Sequence, residues 1–309
     1  MKLPRLLLAA ALAATALRAD VARPRILGLA QAAYYVHDLA QARKFYCDFL
    51  GYQEWYTLTN PDGSAKAALI KIDDRQSIEL VPEVAAHTDR FNHIALEVED
   101  AEAMRQYLKA RGVAVADHII KGTTTVGYFT AKDPDGHTLE FVQYGPDSLV
   151  VRDAGKHLSA ARISGHMSHA GIMVHNLAAA QAFYRDILGC VETWRGSGNG
   201  KTLSWVNMRV PDGTDWVEFM LYAKMPSLAH VGVSHHVCLV VPDVARAGAI
   251  LRGRPLPAGA VLSADIITGT DRKRQIHCFD PDGTRVEIME PAPADGVPAA
   301  SSSAPPPAG

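Results

Sequence analysis

One pattern is written four times along this chain, and a repeat of that length fixes an architecture more firmly than local propensity does. Four segments open on a polar residue, run through an apolar stretch and reach Asp or Asn seven residues on: Gln31 to Asp38, His93 to Asp100, His169 to Asn176 and His236 to Asp243. Asp and Asn are natural helix N-caps, because their side-chain oxygens satisfy backbone N–H groups that the first helical turn leaves without partners. A helical period follows each cap. It is clearest at Leu39, Ala42, Phe45 and Phe49 in the first copy and at Leu177, Ala180, Phe183 and Ile187 in the third, with Gly51, Gly112, Gly189 and Gly253 as stops. The first and third helices nearly coincide, F-Y-C-D-F-L-G over 45–51 against F-Y-R-D-I-L-G over 183–189. The chain is therefore two halves about 140 residues apart, each holding two copies.

Every copy continues with strand-like runs parted by turn residues, among them N-P-D-G at 60–63, D-P-D-G at 133–136 and 280–283, and P-D-G at 211–213. The last run of each copy carries a glutamate between apolar neighbours: Glu79, Glu140, Glu218 and Glu287. The unit is strand, helix, then three strands. The expected fold class is α+β: four βαβββ modules paired into two curved-sheet domains, each enclosing a cleft. The pairs fill 28–145 and 166–291, and 146–165 reads as a linker with little periodicity.

The two ends differ from the repeats. In 1–19, Lys2 and Arg5 precede an apolar run from Leu6 to Leu17, and small residues permit cleavage after Ala16 or Ala19, the layout of a secretory signal peptide. That run is shorter than the roughly 20 residues a bilayer-spanning helix needs, so export without lasting membrane attachment is expected. Residues 292–309 are mostly Pro, Ala and Ser with nothing large to bury, and a disordered tail is expected there. The balance of 31 basic and 33 acidic side chains gives a net charge of −2, which supplies no field to hold nucleic acid. A small molecule is the expected partner, and the duplicated halves allow a monomer or a homodimer.

Strand side chains alternate between faces, which makes the repeated polar positions informative. His93, Ala95 and Glu97 share one side, while Ile94, Leu96 and Val98 share the side that covers the helix. The same parity places His169, His236 and the last-strand glutamates on the helix-free face. If that face curves inward, Gln31, Glu79, His93 and Glu140 converge in the first half, and His169, Glu218, His236 and Glu287 in the second. Two nitrogen or amide ligands with two carboxylates suit a divalent cation (Zn, Ni, Co, Mn or Fe) and leave coordination places open, as a catalytic metal requires. A closed thiolate zinc site is excluded, because Cys47, Cys190, Cys238 and Cys278 contain no C-x-x-C pair and fall at none of these positions.

These residues resemble the vicinal oxygen chelate superfamily, which includes glyoxalase I, extradiol ring-cleaving dioxygenases and bleomycin-resistance proteins. The resemblance rests on the fourfold unit, the F-Y-x-D-x-L-G phrases and the D-P-D-G turns before Glu140 and Glu287, and covers about 260 residues. Glyoxalase I is most similar by ligand order, Gln or His, Glu, His, Glu. It implies a metal-dependent lyase or isomerase in which Glu140 and Glu287 are metal-bound glutamates that act as general bases, moving a proton next to a carbonyl. A resemblance to the dioxygenases implies instead an Fe(II) triad of His169, His236 and Glu287. Their pattern wants a tyrosine where this chain has His277, and leaves Glu218 superfluous. A third reading is a non-catalytic protein that sequesters a small molecule in the cleft.

Other residues have two readings each. His37 and His175 precede helix caps, as corner residues or as an entrance. His235 has the parity opposite to His236. His277 either points into the second cleft or is a hydrogen-bonded core residue. Trp194, Trp205 and Trp216 crowd the third copy, either as core or as the wall of an aromatic pocket. Cys238 and Cys278 are expected as free buried thiols, and Asp271 to Arg274 as a solvated loop.

Overall fold

The computed structural model describes residues 21–85, 89–227 and 234–308, so the signal-like segment at 1–19 lies outside the described residues. The first half forms one sheet from β1 (Ile26–Val36), β2 (Gln53–Thr59), β3 (Ala65–Lys71), β4 (Ser77–Pro82), β5 (Phe91–Val98), β6 (Gly127–Lys132) and β7 (Thr138–Gln143), in the order β2-β3-β4-β1-β5-β7-β6. The second half supplies β8 (Met167–Val174), β9 (Val191–Gly196), β10 (Trp205–Arg209), β11 (Trp216–Leu221), β12 (His236–Val240), β13 (Val261–Leu262), β14 (Ile267–Thr268), β15 (Lys273–Phe279) and β16 (Arg285–Pro293). Their order is β13-β15-β16-β12-β8-β11-β10-β9, with β14 against β15.

Both sheets follow one rule. The first strands of the two copies lie antiparallel at the centre, β1 with β5 and β8 with β12. The last strand of each copy runs parallel beside its own first strand: β4 on β1, β7 on β5, β11 on β8 and β16 on β12. A parallel pair needs a crossover, and the helix after each cap is its first element. The caps are as expected: Asp38 accepts from Ala40 N and Gln41 N, Asp100 from Ala103 N, Asn176 from Ala179 N and Asp243 from Arg246 N. The strands bearing Gln, His and Glu are thereby made contiguous in each half. Their other face, including Tyr34, Ile94, Leu96, Ile172, Val217 and Ile288, is buried in the hydrophobic core.

The F-Y-x-D-x-L-G phrases depart from a simple α-helix. After α-helical Leu39–Arg43 and Leu177–Gln181, the chain widens into π-helix at Lys44–Phe49 and Ala182–Ile187, with Leu50 N bonded to Phe45 O and Leu188 N to Phe183 O. Six residues are too few for apolar spacing to separate the two periods. Each phrase sends a buried tyrosine into the other half. Tyr46 Oη donates to Asp280 Oδ2 at 3.1 Å, and Tyr184 Oη to Asp133 Oδ2 at 3.2 Å. The corner residues complete the clasp: His37 N donates to Asp282 Oδ2 at 3.0 Å and His175 N to Asp135 Oδ1 at 3.3 Å. The D-P-D-G turns that precede Glu140 and Glu287 are thus held from across the molecule, twice, by equivalent groups.

Three expectations need correction. In the second copy only two of the expected three strands follow the helix, the other being reduced to isolated bridges Val115–Ala131 and Ile120–Tyr128, because Asp117 and His118 interrupt the alternating run. The segment around Asp271 to Arg274 is not a free loop, since β15 begins at Lys273 and Arg274 pairs with Glu290 at 3.4 Å. The tail from 292 is placed, not loose. Ser302 N donates to Arg195 O at 2.9 Å and Leu203 N to Pro305 O at 2.8 Å, and Ala304 packs on the core. Its extended Pro-rich backbone needs no internal hydrogen bonds, and edge strand β9 offers the groups it can use.

Candidate metal centre

Register decides which of the expected residues meet. In the second half His169 stands opposite Cys238 and His236 opposite Gly171 across β8 and β12, while Glu218 lies beside Gly171 and Glu287 beside Cys238. A Cβ at Gly171 would come within 2.0 Å of the His236 ring, so the missing side chain there is what lets this imidazole fold across β8. His236 Nε2 consequently reaches His169 Nε2 at 3.1 Å, Glu218 Oε2 at 3.3 Å and Glu287 Oε2 at 3.7 Å. His169 Nε2 is 4.0 Å from Glu218 Oε2. All four expected residues converge.

Their protonation follows from burial. Desolvation pushes the His169 imidazole down to about 3 and His236 well below its ordinary value, so both rings are neutral and offer lone pairs. Burial raises Glu287 to about 8, helped by the Glu218 and Asp271 carboxylates and opposed by Arg285 and Lys273. His236 Nδ1 meets two neighbours that favour opposite tautomers. Ser234 O, at 2.9 Å, can only accept, whereas the Arg285 guanidinium, at 2.6 Å, can only donate. Donation to Ser234 leaves Nε2 with its lone pair toward the centre, the tautomer that a metal ligand needs. Trp216 stacks on the His169 ring at 4.8 Å and fixes its plane.

The first half is a looser version. Gln31, Glu79, His93 and Glu140 line one cavity of about 610 Å³. His93 Nε2 lies 3.7 Å from Glu79 Oε2 and is buried without a hydrogen-bond partner. The Gln31 amide donates to Ser77 Oγ at 3.3 Å. Ala33 stands opposite His93, where the second half has Gly171, so that ring has no gap to fold into. Burial raises Glu79 to about 7 and Glu140 to about 8, the latter also through Glu79, and lowers His93 to about 4. Among the described residues, the His, Cys, Asp and Glu groups whose ligand atoms all fall within 4.8 Å of one another are His169, Glu218, His236 and His169, Cys238, Glu287.

The donor chemistry fits a divalent cation best in the second half. Two neutral imidazole nitrogens in contact, ringed by two carboxylates, would be stabilised by a positive charge between them. Beside them opens a cavity of about 300 Å³. Trp194, Trp205 and Trp216 line it, Trp205 also packing against the buried Met173 and Met220, and His277 joins them with its Nε2 3.8 Å from Glu287 Oε2. His37 and His175 are corner residues bonded to Glu83 and to Tyr222 O. His235 faces away from the centre and stacks on Phe91 at 4.7 Å. The thiols of Cys238 and Cys278 are free and buried, on strands separated by β16. Strand parity does not single out Arg285, and it places Gly171 on the open face without showing what the glycine makes room for. The one signal for Gly171 was a glycine on the open face two residues after a histidine.

Comparison with known proteins gives a consistent picture. The sequence profile of the Glyoxalase/Bleomycin resistance protein/Dioxygenase superfamily matches residues 28–141 and 166–288. A lactoylglutathione lyase of Haemophilus influenzae is 33% identical over 117 residues, 35% of this chain and 86% of that protein. Among solved structures, the 2,3-dioxygenase LapB from Pseudomonas sp. KL28 superposes with a TM-score of 0.67 at 18% identity, over 91% of this chain and 98% of that one. The Mn(II)-bound glyoxalase from Novosphingobium aromaticivorans gives 0.63 at 17%, over 90% and 85%.

Proposed function

Since the chain belongs to the glyoxalase/bleomycin resistance protein/dioxygenase superfamily, we propose that its C-terminal cleft is the centre of a divalent-metal-dependent lyase or isomerase that moves a proton next to a carbonyl of a small molecule. The observation that carries this reading is Glu218. Its carboxylate, 3.3 Å from His236 Nε2, makes a set of four donors with His169, His236 and Glu287, one more than an iron triad uses. A divalent cation held there would polarise a carbonyl oxygen and stabilise the negative charge that develops on it when the adjacent carbon loses a proton.

The chain's own residues prepare that step. Ser234 holds His236 through Nδ1, Trp216 holds the plane of His169, and burial keeps both rings neutral. Glu287 lines the cavity and is the proton carrier; burial and the nearby Glu218 carboxylate raise it, which makes it a stronger base than an exposed glutamate. The same reading assigns Gln31, Glu79, His93 and Glu140 as the N-terminal set, with Glu140 in the place of Glu287. Metal analysis of purified wild type beside His236→Ala and Gln31→Ala is the test, joined to proton NMR in heavy water with 2-oxoaldehydes and 2-hydroxy ketones. The expected results are loss of the tighter-held metal in His236→Ala and deuterium entering next to the carbonyl in wild type and Gln31→Ala but not in His236→Ala. Unchanged metal content in His236→Ala, or oxygen uptake with catechols, would overturn the reading.

A further inference from the structure

The two clefts of the molecule differ in kind around equivalent positions. In the second, Asn207 is the cross-strand neighbour of Glu218, and Trp205 that of Met220. In the first, Leu69 is the neighbour of Glu79 and Ala67 lines the cavity two residues earlier. Trp194 and Trp205 both line the smaller, second cleft. They come from adjacent strands, where Trp205 pairs with Gly196. A Cβ at Gly196 would stand 2.2 Å from Trp194 Cη2, so the glycine keeps open the place that this indole occupies. Between these rings and the four donors sits Asn207, 8% exposed, with Oδ1 buried and without a hydrogen-bond partner. A carboxamide oxygen only accepts, and a buried one left unmatched costs free energy that a bound donor would recover.

We propose that the C-terminal cleft selects a carbonyl compound bearing a flat aromatic ring with a hydrogen-bond donor on it, the ring against Trp194 and Trp205 and the donor on Asn207 Oδ1. This builds on the reading of that cleft as the substrate site, and names the substrate class that it takes. Indole faces favour ring over saturated partners of the same size through offset or edge contacts. At the positions equivalent to Asn207 and Trp205 the first cleft carries Leu69 and Ala67, so it has neither the carboxamide nor the paired indoles there, although Tyr128 lines it elsewhere.

The test uses metal-free full-length protein, so that ring selection is read whether or not metal-centred chemistry holds. Binding of 4-hydroxyacetophenone, acetophenone and cyclohexyl methyl ketone is measured by calorimetry. Wild type is expected to bind acetophenone about tenfold more tightly than the cyclohexyl ketone. The hydroxyl should add a further severalfold that Asn207→Leu alone removes. Trp194→Leu, Trp205→Leu and Gly196→Ala should each bring the ring preference below about twofold, while Trp205→Phe keeps it. Equal affinities for ring and ring-free ketones in wild type, or an undiminished preference in the leucine variants, would overturn the proposal.

Discussion

Tyr46→Phe removes one oxygen and tests the clasp between the halves. In the folded chain Asp280 is fully buried, its Oδ1 accepting from Asp282 N at 2.9 Å and Thr284 N at 2.8 Å, and its Oδ2 from Tyr46 Oη at 3.1 Å. Burial pushes this carboxyl from its ordinary 3.8 up to about 7, against the pull of those three donors. The sign follows from proton counts. Between these two values the native state holds a proton that the unfolded chain has released, so stability falls as pH rises through the window and levels off above it. Without the hydroxyl, desolvation is opposed by one donor fewer, and the fall continues to higher pH. A hydrogen bond to an ionised carboxylate is worth about 1.5–3 kcal/mol and one to a neutral acid about 0.5–1.5. Tyr46→Phe should therefore cost about twice as much at pH 8.5 as at pH 5. Urea unfolding at the two pH values, with the m-value unchanged, measures it. Tyr184→Phe is the comparison, and should cost less, because Asp133 keeps His137 Nδ1 at 2.8 Å. A loss that is equal at both pH values, or larger in acid, would refute the electrostatic account of the clasp.

Two further outcomes follow from contacts already described. Gly171→Ala puts a methyl group where the His236 ring lies, and is expected to abolish metal binding in the C-terminal half while the N-terminal half behaves as in wild type; retention of both metals would contradict the packing argument. His166 Nε2 meets Asp215 Oδ1 at 3.0 Å and its Nδ1 lies 3.7 Å from Asp73 Oδ2, joining the halves, and these two carboxylates raise its imidazole to about 9. A raised histidine stabilises fully below its ordinary 6.5 and loses that contribution as pH climbs through 9, so His166→Asn should flatten the decline of stability over this range. An identical pH profile for variant and wild type would remove His166 from the inter-half linkage.

What the sequence made legible is what a period of two encodes. Parity alone assigns His93, His169, His236 and the four glutamates to the open face, because a strand residue cannot change face without shifting the whole strand. The caps at Asp38, Asp100, Asn176 and Asp243 were readable for a similarly local reason. Register between copies is not local. Whether His236 stands opposite Gly171 or opposite His169 depends on how β8 and β12 pair, and a slip of two residues would change what the His236 ring meets while leaving every apolar pattern intact. The tail follows the same rule: its composition forbids a core of its own, but says nothing about an exposed edge elsewhere on which extended chain can lie. The equivalence of the halves is likewise exact enough at the level of parity to suggest two matching centres. It is the residues opposite the repeated polar positions, Gly171 against Ala33 and Asn207 against Leu69, that distinguish the tighter cleft from the wider one, and these opposites become visible only when strands are paired. Chemistry in a duplicated fold of this kind is therefore settled less by the repeated residues than by their unrepeated neighbours across the sheet.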